Sequence, residues 1–343
     1  MFLRMIYDGW TDISKQLSSL PGILSQTTAT MNNALLEPSL HHVQCPDADG
    51  GHRMAFWQWG APAGSHVVLC VHGLTRQGRD FDSFARGLLA DAEKRGVAGE
   101  LRIVCPDVAG RGRSDWLADP MGYQIPVYAA DMLALVGQLQ ADASVAMLDW
   151  VGTSMGGLIG IVVAGQPAGV LPVPVRRLVL NDVGPALEWS AIERIGAYLG
   201  QAGHFDSLQQ AADAMWAISS SFGPHTAQEW LALSRHMLLP VDESPSSKLR
   251  LHYDPALGVP FRAGTEETTR QGEILLWQFY DNIAARTLVV RGAQSDLLSP
   301  ATAESMRQRG PKAGLVEFAG VGHAPTLVAK DQIHAVAGFL LEA

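Results

Sequence analysis

Ser154 lies in the stretch "LDWVGTSMGG", residues 148–157, with Gly152 and Gly156 two positions away on either side. The apolar residues before it read as a buried strand, and the apolar run after it reads as a helix ending before Pro167. The serine therefore falls in the turn between them. A strand-to-helix reversal this tight crowds its neighbours, and the two glycines remove side chains that would collide there. The hydroxyl is left projecting above the sheet edge, over the free N–H groups and positive dipole end of the helix. A serine hydroxyl is a poor nucleophile at neutral pH, so this chemistry needs a base close by and a third group to orient that base.

Eleven histidines compete for the role of base. His323, in "GVGHAP", follows the last strand-like run and falls on the same sheet edge as Ser154, which selects it. His72 also follows a strand, but its place before Gly73 suits loop scaffolding. The remaining histidines fall in the first hairpin, at a strand start, in the central helical region or in the last helix. Two aspartates end strands in the order Ser…Asp…His: Asp296 in "VVRGAQSD" and Asp182 in "VLND". Asp296 is the preferred orienting acid and Asp182 the alternative. Asp149, inside the strand before Ser154, is assigned a structural role. A tetrahedral intermediate needs backbone donors, expected from the N–H groups of Met155 and of Leu74, with Gly73 allowing close approach.

The elements that position these residues are legible as alternating apolar runs. "SLHHVQC" and "HRMAFWQWG" flank the turn-forming "PDADGG" and predict a hairpin. Strand-like runs at 66–73, 101–107 and 175–182 alternate with helical stretches, which argues for a mostly parallel sheet covered by helices. Between Gly184 and about Gln278 the alternation stops, and several helical segments follow one another without a convincing buried strand. Two of these segments start with capping-box spacing, Ser207 with Gln210 and Thr226 with Glu229. The βα pattern resumes at 285–296, continues through a helix with Ser299 as N-cap and Pro300 at its first position, and ends in a terminal helix. The expected organisation is an N-terminal extension (1–38), a first core part (39–184), a helical cap (185–278) and a second core part (279–343). In the extension, Ile6, Trp10, Ile13, Leu17 and Leu20 recur at helical spacing, which fits a helix packed on the domain or on another subunit.

Composition narrows the function classes. The net charge of -9, with no basic run, disfavours nucleic acid and anionic membrane surfaces as partners. The hydrophobic fraction of 47% provides for a large buried core. Cys70 and Cys105 lie in apolar strand-like runs and Cys45 makes the count odd, so buried free thiols in a reducing compartment are expected. With no signal-peptide pattern at the start of the sequence, a cytoplasmic location is the expectation. No metal or organic cofactor is called for, since the sequence shows no P-loop, no His-Glu-x-x-His and no cysteine pair at zinc spacing.

Taken in order, "VHGLTRQGRDFD", "PDVAGRGRSDW", "GTSMGG", "RGAQSD" and "GVGHAP" resemble the successive signature segments of the α/β-hydrolase superfamily over about residues 50–343. The resemblance implies an eight-stranded, mostly parallel sheet flanked by helices, with a helical cap inserted after the sixth strand. It also implies a Ser154–His323–Asp296 triad, and it is nearest the esterase, lactonase and carbon–carbon hydrolase branch. Dehalogenases and epoxide hydrolases of similar architecture place an aspartate at the elbow, so Ser154 argues against both.

The expected activity is therefore hydrolysis of a small carboxylic ester or lactone through an acyl-enzyme. The alternative is cleavage of a carbon–carbon bond in a vinylogous diketone, and a non-catalytic receptor is disfavoured because no triad member is missing. A small-molecule substrate, no stable membrane association and room for a homo-oligomer complete the expectation. For the substrate pocket the candidates are Arg76, Trp216, Phe222 and Trp277, with Met215, Phe279 and Tyr280 beside them. Arg76, Arg79 and Arg111 follow strands at the reactive edge, where one of them is placed to recognise an anionic group.

Overall fold

The computed structural model describes residues 37–342 apart from 48, 49, 202 and 245. The expected N-terminal helix lies outside these residues. The hairpin forms as its turn chemistry dictates: Ser39–Cys45 (β1) pairs antiparallel with His52–Gly60 (β2), with Cys45 opposite His52. The first core part continues through His66–Val71 (β3), Asp82–Lys94 (α1), Leu101–Pro106 (β4), Ile125–Asp142 (α2), Met147–Thr153 (β5), Met155–Ala164 (α3) and Val175–Asn181 (β6).

The insertion then runs through Trp189–Tyr198 (α4), His204–Phe205 (β7), Leu208–Ser219 (α5), Ala227–Arg235 (α6), Leu238–Pro240 (β8), Leu249–Leu251 (β9), Gly258–Ala263 (α7) and Glu266–Asp281 (α8). Arg286–Gly292 (β10), Pro300–Gln308 (α9), Gly314–Phe318 (β11) and Lys330–Leu340 (α10) complete the chain. The main sheet has eight strands in the order β1-β2-β4-β3-β5-β6-β10-β11. Its pairs are parallel except β1–β2 and β2–β4. Among the described residues no helix is long and apolar enough to cross a membrane.

Burial on both faces explains why the central strands read as continuous apolar runs. Along β3, Val67, Leu69 and Val71 join the core layer beneath α2 and α3, while Val68 and Cys70 join the opposite layer beneath α1 and α10. Each such fully buried aliphatic side chain contributes about 1.5–3 kcal/mol. Cys45, Cys70 and Cys105 are buried free thiols, Cys70 and Cys105 within the apolar strand runs expected to bury them. Trp150 on β5 is fully buried against Gly160 of α3, where any side chain would strike the indole. Its Nε1 donates to the Gly156 carbonyl at 3.1 Å, which ties the strand before the turn to the helix after it.

The insertion departs from the all-helical expectation. It contains a three-stranded antiparallel sheet, β7-β9-β8, whose strands are two or three residues long. Segments that short carry no readable alternation in the sequence. The caps follow their spacing fully at Thr226 and by half at Ser207, where the Gln210 side chain accepts from the Asp206 N–H instead of the Ser207 N–H. Ser207 accepts from the Gln210 N–H, and Thr226 with Glu229 forms a reciprocal capping box. The expected boundary at 278 falls inside α8, which runs unbroken to Asp281. Trp277, Phe279 and Tyr280 of that helix pack on the main core, so its C-terminal half belongs with the sheet.

Candidate active site

Ser154 sits between the last residue of β5 and the first of α3 with φ 51 and ψ -117, a backbone region that L side chains rarely adopt. The neighbouring glycines are sterically required. A Cβ on Gly156 would run into the Val71 carbonyl of the adjacent strand, and one on Gly152 would run into the Gly156 carbonyl. The Ser154 N–H donates to the Asn181 carbonyl at 2.9 Å, so β6 holds the strained turn in place.

His323 arrives on the loop after β11. Its Nε2 lies 2.9 Å from Ser154 Oγ, and its Nδ1 lies 2.7 Å from Asp182 Oδ2. The Asp182 carboxylate is fully buried, and the histidine side chain is only 10% exposed. Asp182 Oδ1 accepts from the Gly292 N–H at 2.8 Å, and Oδ2 also accepts from the Ser295 hydroxyl at 2.6 Å. Asn181 clamps the same loop: its Nδ2 donates to Thr153 Oγ1 and to the Pro325 carbonyl, at 2.9 and 2.8 Å. From the insertion, Ser221 Oγ donates to the His323 carbonyl at 3.1 Å.

The preference for Asp296 over Asp182 is corrected by this geometry. Asp296 does not face His323; it is about half exposed and pairs with Arg194 of α4 at 2.7 Å. Both aspartates follow strands, so position alone does not separate them. The difference is in the backbone: Asp182 turns at φ 57 and its carboxylate meets donors from the last residue of β10 and from the loop after it. The "QSD" sequence that drew attention to Asp296 contributes through Ser295 instead.

The loop after β3 lies beside the serine. Gly73, Leu74, Thr75 and Arg76 line the same pocket as Ser154 and His323. A methyl on Gly73 would rest at an ordinary 3.8 Å from Ser154 Cβ, so this glycine is not forced by crowding as Gly156 is. His72 has the scaffolding role expected of it. Its Nδ1 donates to the Gly73 carbonyl at 2.7 Å, and its Nε2 accepts the Val108 N–H at 2.9 Å. Complete burial holds this imidazole neutral, with its pKa pushed down to about 3.

None of the three candidate arginines is available to an anion. Arg76 makes a bidentate pair with Asp80 and Arg79 one with Asp82. Arg111 is fully buried. Its Nε donates to the Leu74 carbonyl at 2.8 Å, and its Nη1 to the Ala109 carbonyl and the Tyr128 hydroxyl. Its Nη2 reaches Met155 Sδ at 3.4 Å, so one guanidinium touches both residues expected to supply oxyanion donors.

Of the aromatic candidates, Phe222 lines the pocket together with Met215. The Trp216 ring instead packs edge-on against Trp230 and His225, and Trp277 packs against Tyr280 beneath the Arg309 guanidinium. Phe279 and Tyr280 belong to the main core. Tyr198, Arg194, Ile218 and Met237 also line the pocket; residue type alone does not reveal which side of an insertion segment looks inward. Asp149 is structural, its carboxylate buried against His66 and Arg176.

Among the described residues, one group gathers metal-ligating side chains: Cys45, His52 and Asp131, with ligand atoms within 4.8 Å of one another. His52 bridges Asp47 and Asp131 there, at 3.0 and 3.2 Å, fastening the hairpin to α2. None of these residues lines the pocket.

Residues 68–337 match the model of the alpha/beta hydrolase family. The chain is 49% identical over 296 residues to a 3-hydroxybutyrate-oligomer hydrolase of Cupriavidus necator, covering 86% of this chain and 95% of the relative. Among solved structures, an alpha/beta hydrolase from Novosphingobium aromaticivorans is similar with a TM-score of 0.72 at 32% identity, covering 89% of this chain and 98% of that one. A hydrolase from Rickettsia typhi is similar with a TM-score of 0.73 at 25% identity, over 90% and 99% of the two chains.

Proposed function

The chain belongs to the alpha/beta hydrolase family as an esterase-like hydrolase, and we propose that it is a serine hydrolase of small carboxylic esters whose substrates are linear oligomers of a short hydroxyacid. The observation that carries this reading is the continuous hydrogen-bonded line from Ser154 Oγ through His323, at 2.9 Å, to Asp182, at 2.7 Å. A hydroxyl, an imidazole and a buried carboxylate in that order are what acyl transfer requires. The substrate class is suggested by the Cupriavidus relative, which is described as a hydrolase of 3-hydroxybutyrate oligomers.

In the proposed reaction, His323 Nε2 takes the Ser154 proton as Oγ attacks the ester carbonyl carbon. The carbonyl oxygen becomes an oxyanion held by the N–H groups of Met155 and Leu74. When the tetrahedral species collapses, the bond to the alcohol oxygen breaks and His323 returns the proton to that alcohol. Water then attacks the acyl-serine, giving its proton to His323, and the free acid leaves as Ser154 is reprotonated. Asp182, held by Gly292 and Ser295, fixes the imidazole tautomer and stabilises its cation. The insertion acts as a cap, with Met215, Phe222 and Met237 facing the apolar part of the substrate.

Hydrolysis of linear 3-hydroxybutyrate dimers and trimers and of p-nitrophenyl acyl esters, with Ser154→Ala as control, tests the reading. The wild type is expected to exceed the variant by several orders of magnitude. Equal rates for the two on every ester would overturn it.

A further inference from the structure

We propose that Arg194 forms a subsite for the free terminal carboxylate of a linear hydroxyacid oligoester; the inference rests on the ester-hydrolase reading above and goes on to say which end of the chain is held. A linear oligoester has ester carbonyls along its length and one fixed charge, the carboxylate at its acid end. A pocket that selects such chains over neutral esters must offer that charge a cation.

Two arginines and two histidines line the pocket with Ser154: Arg76, Arg194, His72 and His323, of which His72 is buried with its ring nitrogens engaged by the Gly73 carbonyl and the Val108 N–H. His323 is engaged at both ring nitrogens, with Ser154 and with Asp182. Arg76 is engaged as well. Its Nε and Nη2 grip the two oxygens of Asp80 at 2.5 and 2.8 Å, and Nη2 also reaches the Leu233 carbonyl. That pair is largely buried, and burial already pushes the Asp80 carboxyl above its ordinary pKa. Drawing Arg76 toward a ligand would leave a buried carboxylate without its partner.

Arg194 is held differently. Its Nε and Nη2 converge on a single oxygen of Asp296, Oδ2, at 3.0 and 2.7 Å. The two side chains are 42% and 49% exposed, the regime in which an ion pair is weak and easily exchanged. The planar guanidinium is shaped for a bidentate carboxylate, and the pair to Asp296 does not use that geometry. Tyr198, one helical turn further along α4, also lines the pocket and brings a hydroxyl to the same face. The same pocket is also lined by Ile195, Met215, Ile218 and Phe222, apolar side chains suited to the hydrocarbon part of a hydroxyacid unit. The substrate carboxylate displaces Asp296 from Arg194 as an ion, with no covalent change, and the ester bond nearest the acid end is presented to Ser154.

The test compares kcat/KM for a linear 3-hydroxybutyrate trimer as the free acid and as its methyl ester, in the wild type, Arg194→Gln and Arg194→Lys. The wild type is expected to prefer the free acid, and Arg194→Gln to reduce that preference about tenfold through KM rather than kcat. Arg194→Lys should retain part of it. An unchanged ratio in Arg194→Gln, with both substrates still cleaved, overturns the subsite and leaves the serine-ester reading standing. Wild-type failure on both substrates overturns the underlying reading and the subsite with it. If Arg194→Gln does not fold, Asp296→Asn decides the matter: freeing Arg194 should lower KM for the free acid relative to the methyl ester, and an unchanged ratio overturns the proposal.

Discussion

His323 Nδ1 and Asp182 Oδ2 lie 2.7 Å apart, joining the loop after β11 to the end of β6 across 141 residues of sequence. Asp296, four residues past the end of β10, instead meets Arg194 of the insertion. The carboxylate that touches the imidazole sets its tautomer, so Asp182→Asn is expected to lower kcat by about 10⁴-fold on a p-nitrophenyl ester. Asp296→Asn should cost at least a hundredfold less. Turnover lost only in the Asp296 variant would refute the assignment.

The strand–serine–helix turn of the candidate site was largely legible because its requirements are local. Gly152 and Gly156 are needed where the backbone of β3 and α3 leaves no room for a Cβ, and that need is written as spacing around Ser154. The strands of the main sheet were equally legible, since burial on both faces leaves runs such as "HVVLCV" without a polar interruption. The carboxylate that faces His323 was not. Asp182 and Asp296 look alike in sequence, and what separates them is a backbone turn at Asp182 and two donors, at the end of β10 and just after it, 110 and 113 residues away. The pocket wall was the least legible part. Trp216 and Trp277 were reasonable candidates by residue type, but each spends its ring on neighbours within its own packing layer. The small sheet of the insertion escaped notice because strands of two or three residues have no period.

Arg111 bonds the Leu74 carbonyl while lying against Met155 Sδ, and two tyrosine rings, Tyr128 and Tyr123, face its guanidinium. Replacing it by lysine keeps the charge but removes the fork that reaches Leu74 and Ala109 together. Arg111→Lys should therefore let the loop after β3 drift, lowering kcat by up to about a hundredfold while KM changes less. Steady-state kinetics beside a thermal melt check this. A variant with wild-type kcat would show that Arg111 is packing alone.

His72 gives the stability a pH dependence of known sign. Its pKa falls from an ordinary 6.5 to about 3 because the folded protein buries it completely. Above pH 6.5 the ring is neutral in both states, and its contribution is fully present. As pH falls below 6.5 the unfolded chain takes up a proton that the folded state refuses, so stability is lost progressively toward about pH 3. By pH 5 the loss from this one group amounts to roughly 2 kcal/mol. His252, held down to about 4 chiefly by burial, adds to the effect in any variant that retains it. Urea unfolding of wild type and His72→Gln at pH 7 and pH 5 isolates the His72 share. The variant should be less stable at pH 7 yet lose roughly 2 kcal/mol less on acidification. Equal losses would mean that His72 is not the group responsible.

Two glycine-to-alanine substitutions should act in opposite directions because their surroundings differ. Gly137 lies inside α2 with nothing within 4 Å of the position a Cβ would take. Alanine there restricts the unfolded chain and favours helix, so Gly137→Ala should stabilise by about 0.5–1 kcal/mol. At Gly156 the same methyl group would meet the Val71 and His72 carbonyls, backbone atoms of the strand and loop beside it. Neither carbonyl can move aside without displacing the strand that carries the Leu74 loop. Gly156→Ala should thus destabilise by at least about 3 kcal/mol and abolish turnover in whatever fraction folds. Urea midpoints for the two variants, with m-values compared to wild type, read out both effects. A Gly156→Ala protein with a wild-type midpoint and wild-type kcat would show that the turn around Ser154 tolerates a side chain, removing the steric reason for its glycine spacing.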